Sequence, residues 1–102
     1  MTKFDIDFQV GILSLMYKDI KFMTYCSANL KPSFFGTKDL MWIFSTFRDY
    51  YMNYRACITK RAFIDYVKKS LSKKELSTER VASLKDAFTG VETDVCGDRE
   101  HL

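Results

Sequence analysis

Few residues in this chain have the chemistry to act. Three cysteines, Cys26, Cys57 and Cys96, lie 31 and 39 residues apart, and His101 is the only histidine. A zinc centre needs four Cys or His ligands, usually in close pairs, so this set implies no metal. A serine or cysteine nucleophile needs a histidine base held in a folded site. His101 is instead the penultimate residue, in a stretch without helical periodicity. Asp5 and Asp7 stand where a first helix begins, and capping accounts for them. Neither a GxxxxGK(S/T) phosphate loop nor a GxGxxG turn occurs. The expectation is a chain with no catalytic residue, no cofactor and no metal. An odd number of thiols without a disulfide framework suits a reducing cytoplasm, with two thiols packed and one in a tail.

Charge is the second chemical resource, and it is unevenly spread. The net charge is +3. Residues 55–85 hold nine Lys or Arg against three acids, a surplus of six. Residues 86–102 hold Arg99 against five acids, a deficit of four. Lys60, Arg61, Lys68 and Lys69 are the candidate contacts to nucleic acid phosphates. The same basic stretch would equally suit an acidic protein patch, or a solvated face beside an acidic tail.

These groups need elements to position them, and the composition restricts which. A chain of 102 residues makes one domain, and 47% apolar residues argue against disorder. Four Gly and one Pro are too few punctuators for a many-turned β-sandwich, and no run alternates long enough for a sheet. The predicted fold is all-α: a single compact domain of five to six helices over residues 1–90, with residues 91–102 an acidic tail or truncated linker. Asp5 and Asp7 occupy the place where a signal peptide would be positive. The richest apolar stretch, Val10 to Tyr17, is far below the roughly 20 residues that span a bilayer. No membrane partner is expected.

The first helix is predicted over Ile6 to Tyr17, capped by Asp5 or Asp7. Phe8, Ile12 and Leu15 form one stripe, with Val10, Leu13 and Tyr17 opposite. Apolar on two faces, it reads as a central helix covered all round, with Gly11 allowing close approach of another backbone. Asp19 caps a second helix ending near Asn29, before Pro32. Phe34 and Phe35 read as a buried plug. Thr37 then caps the longest helix, whose stripe is Leu40, Ile43, Phe44, Phe47, Tyr51 and Tyr54. Thr59 caps a helix carrying Phe63, Ile64, Val67 and Leu71, with Asp65 placed to pair with Lys69. Ser70 to Thr78 reads as a polar linker. A last helix from about Glu79 to Phe88 carries Val81, Leu84 and Phe88, and Gly90 reads as its stop.

Met41 and Trp42 lie off the stripe of the longest helix, and Tyr50 lies beside it. An off-stripe Trp is either covered by another part of the chain or marks a contact surface. Met41, Trp42 and Tyr50 are therefore the candidate partner-binding residues.

Three stretches together resemble the N-terminal domain of DnaB-type replicative helicases, particularly the diverged forms of tailed phages. Phe8-Gln9-Val10-Gly11-Ile12-Leu13 is similar to the family's opening helix with its apolar-Gly step. Leu30-Lys31-Pro32-Ser33-Phe34-Phe35, with Ile43-Phe44 eight residues beyond Phe35, resembles its Leu-Lys-Pro-Glu-Asp-Phe segment and the Ile-Phe pair that follows. Ile58-Thr59 resembles its apolar-Thr-Leu helix start. The likeness covers residues 6–90. Phe34 stands where the family usually has Asp, and Gly36-Thr37 replaces an aromatic-acidic continuation. Neither the family's helical hairpin nor its ATPase domain is visible after Gly90. The resemblance implies a fragment or free-standing counterpart of a larger protein in the bacterial cytoplasm. It also implies self-association in the collar of a hexameric ring, docking of a primase or helicase loader, and DNA contact that is weak or indirect.

Two other roles fit the residues. One is a small basic helical protein that binds nucleic acid. The helices around 60–70 and 79–88 imitate a helix-turn-helix pair, but about eight residues separate them where that motif has 3–4. The other is a phage protein that binds a host replication factor.

Overall fold

A computed structural model describes residues 6–93. They form helices α1 (Ile6–Lys18), α2 (Ile20–Asn29), α3 (Lys38–Tyr54), α4 (Lys60–Ser72) and α5 (Thr78–Thr93), with a 3-10 turn at Pro32–Phe34. The all-α class holds, and no strand occurs among the described residues.

Side-chain caps set most of the boundaries. Asp19 accepts from the backbone N–H groups of Lys21 and Phe22 at the start of α2. Thr37 Oγ1 accepts from Leu40 N–H at 3.1 Å, and Thr59 Oγ1 from Ala62 N–H at 3.1 Å. Each satisfies one of the four N–H groups that a helix start leaves without a partner. Asp7 lies inside the first turn of α1, and Asp5 is outside the described residues.

α1 is central, lying against α5, α2 and α3. Its buried face differs from the predicted stripe: Gln9, Gly11, Leu13, Ser14 and Met16 point inward, while Phe8 remains 51% exposed. Gln9 is part of that face. Its Oε1 accepts from Gly36 N–H at 2.8 Å, tying α1 to the connection before α3. The bond satisfies the buried Gln9 carboxamide, as buried polar groups require. That connection holds the plug: Phe35 is buried and packs on Phe44 at 5.2 Å, with Phe34 edge-on to Phe35.

α3 buries Leu40, Ile43, Phe44, Phe47 and Tyr51 as one stripe, but Tyr54 is 64% exposed. Tyr54 packs on Tyr50 instead, in the last turn before the left-handed backbone of Arg55 (φ 53°) ends the helix. α4 inserts Phe63 and Val67, leaving Ile64 half-buried and Leu71 exposed. An aromatic cluster joins the elements. Phe63 stacks on Phe88 at 4.1 Å, and Phe47 and Tyr17 pack edge-on to Phe88 at 6.4 and 5.4 Å.

Three predicted details are corrected. The Ser70–Thr78 stretch is not simply a polar linker: α4 runs to Ser72, and the turn that follows buries Leu76. Asp65 and Lys69 form no ion pair. The pairs among the described residues are Lys60–Glu92 at 3.7 Å and Arg80–Asp39 at 3.3 Å, both reaching to another helix. Gly90 does not end α5, which continues through Val91 to Thr93. Val91 is fully buried, extending the Val81–Leu84–Phe88 stripe, and that burial outweighs the weak helix preference of one glycine.

Candidate functional site

Helix α4 touches only α3 and α5 among the described elements. It is anchored through Phe63 and Val67, so an open groove remains on each flank.

The groove between α3 and α4 has a volume of about 450 Å³ and is lined in part by Trp42, Ser45, Asp49, Met52 and Tyr66. Trp42 is half-buried and meets Phe63 edge-on, with ring centres 5.7 Å apart. One side of its indole therefore belongs to the core, and the ring also borders the groove. Met52 is 56% exposed. Tyr66 reaches across and donates its hydroxyl to Asp49 Oδ2 at 3.0 Å. Burial first, and then the Asp49 carboxylate, hold the Tyr66 phenol above its ordinary pKa.

Beside this groove, Tyr50 and Tyr54 pack at 4.6 Å and border a crevice of about 140 Å³ shared with Tyr66, Asp65 and Lys69. Met41 is half-buried against the core and lines neither space. The three candidate contact residues thus divide: Trp42 borders the groove, Tyr50 the crevice, and Met41 packs inward. Sequence reasoning missed Met52 and Tyr66. Met52 lies ten residues after Trp42, about 2.8 helical turns, which sets the two about 80° apart round α3, near enough to border one groove. That spacing was the available signal. Tyr66 gave none, since only the crossing of α4 over α3 brings its hydroxyl to Asp49.

The four candidate nucleic-acid residues also divide. Lys60, Arg61 and Lys68 share the outer face of α4 with Ile64 and Asp65. Lys69 instead lines the adjoining tyrosine crevice, which shares Asp65 with that face. The connection between α4 and α5 is residues 73–77, shorter than expected and still longer than a helix-turn-helix turn.

The described thiols are poorly placed for nucleophilic chemistry. Burial pushes the Cys26 thiol up to about 11. Cys57 donates its S–H to the Met16 carbonyl at 3.4 Å, and burial raises its pKa as well. A thiol acts as a nucleophile through its thiolate, which these surroundings disfavour. Cys96 and His101 lie outside the described residues. Among the described residues no group of three or more His, Cys, Asp or Glu is placed to hold a metal, and no helix is long and apolar enough to cross a membrane.

The fold and its surface define an all-helical domain with a helix flanked by two open grooves. Comparison of the chain with protein-family models, with curated proteins and with solved structures returns no match.

Proposed function

We propose that this chain is a non-catalytic assembly and primase-docking module of a replicative DNA helicase, acting in the cytoplasm, whose ATPase lies outside these 102 residues. The observation that carries the reading is the α3–α4 groove, where Trp42 and the exposed Met52 line one open surface. Aromatic and Met side chains are enriched at protein interfaces, and Trp supplies many of their strongest contacts. The likeness of residues 6–90 to the helicase N-terminal domain names the partners: other copies in the ring, and a primase or loader. Trp42→Ala and Met52→Lys test it. Both are expected to weaken self-association or primase binding by tenfold or more with helical circular dichroism unchanged. Unaltered binding by Met52→Lys, or unfolding by Trp42→Ala with binding intact in Met52→Lys, contradicts it.

A second reading takes Lys60, Arg61 and Lys68, which share one face, as phosphate contacts. Each phosphate neutralised contributes about 0.7 to 0.9 to the salt slope of binding. Three contacts therefore permit a slope of only about 2 to 3, which is weak, non-specific affinity. Titrating single- and double-stranded DNA at increasing salt checks this; binding that is absent or insensitive to salt removes it.

A further inference from the structure

The second flank of α4 is built differently from the first. Between α4 and α5 lies a half-enclosed cleft of about 240 Å³, with Phe63, Val67 and Phe88 as its floor. Lys60 and Lys85 stand at its rim with Glu92 and Thr89. Ile64 borders both this cleft and the outer face that carries Arg61 and Lys68, so apolar floor and basic surface are continuous.

We infer that this cleft receives one bulky apolar side chain from an acidic amphipathic helix of a partner protein, whose flanking carboxylates meet Lys60, Lys85 and the Arg61–Lys68 face. Two observations support the assignment. The first is size: pockets for drug-sized molecules hold about 300–1,000 Å³, and this one is smaller, a fit for a single anchoring side chain. The second is charge. Four cations and only Asp65 and Glu92 line the cleft and the face beside it. Complementary potential then favours an acidic partner. Lys60 is also easily exchanged, since its link to Glu92 is 3.7 Å long and its side chain 60% exposed. Such exposed pairs contribute little stability.

The inference rests on the docking reading only in that the chain meets a protein through its outside. Its test uses the other flank of α4, so the two fail separately. The probe is a synthetic twelve-residue helical peptide with one central Phe and Glu at the neighbouring turns, labelled for fluorescence anisotropy against the full chain. Binding is expected to fall tenfold or more with Lys85→Glu, with Thr89→Trp, which fills the cleft from an exposed position, and with the peptide's own Phe→Ala. It is also expected to weaken as salt rises. No binding at millimolar chain, or binding unchanged by Lys85→Glu and Thr89→Trp, overturns the inference. So does self-association of the chain abolished by Thr89→Trp, which gives the cleft to a second copy. Single-stranded DNA that displaces the peptide and tolerates Thr89→Trp likewise overturns it, giving the face to nucleic acid.

Discussion

Gly90 lies in helical backbone with nothing within 4 Å of where a Cβ would stand. Gly90→Ala is therefore expected to stabilise the chain by about 0.5–1 kcal/mol, measured by urea denaturation, since Ala is the better helix former. A loss of stability would mean that the position needs glycine as a helix stop after all. Gln9 is the opposite case. Gln9→Ala removes the acceptor of the Gly36 N–H, which water can reach at that exposed residue, and is expected to cost about 0.5–1.5 kcal/mol in the same measurement. The Cys26 thiol, raised from its ordinary 9.0 to about 11, keeps its proton in the folded chain at pH values where the unfolded chain has lost it. The unfolded state then binds fewer protons, so stability falls as pH rises between 9 and 11, and this group has no effect well below 9. At pH 8, iodoacetamide should leave Cys26 untouched until urea unfolds the chain. Alkylation in the native protein at the unfolded rate would contradict its burial.

At the scale of elements, α4 shows what was legible in the sequence and what was not. Its cap at Thr59 and its buried Phe63 and Val67 follow from local spacing. So do Asp19 and Thr37, because a capping side chain and its N–H lie two or three residues apart. Burial of Gln9 and of Leu76 was hidden, since each depends on a partner distant in the chain or on how a turn folds back. The candidate site was legible only in part: Trp42 and Tyr50 border open spaces, but no pattern within α3 tells that Tyr66 closes one side. Phe63 joins α4 to Phe88, Phe47 and Trp42. Phe63→Ala is accordingly expected to cost about 3–5 kcal/mol by urea denaturation. A cost below about 1 kcal/mol would mean that α4 is held by something other than this cluster.

For the whole molecule, the bulky side chains converge on one core that draws on all five helices, and α4, which like α2 meets only two other helices, has an open space on either side. The positive surplus read from residues 55–85 becomes spatial here. Lys60, Arg61 and Lys68 share one face, Lys69 lines the tyrosine crevice with Tyr66, and Asp65 borders both. The sequence could count these charges but not sort them by flank, because sorting requires knowing which side of α4 meets α3.

The most direct measurement of the proposed docking role is an amide NMR titration of the isotope-labelled chain, first with unlabelled chain and then with a bacterial primase. A docking module that works through the α3–α4 groove must show its shifts clustered at Trp42, Ser45, Met52 and Tyr66, and lose them in Met52→Lys. Spectra that stay still with both partners, while DNA moves Lys60, Arg61 and Lys68, would contradict it.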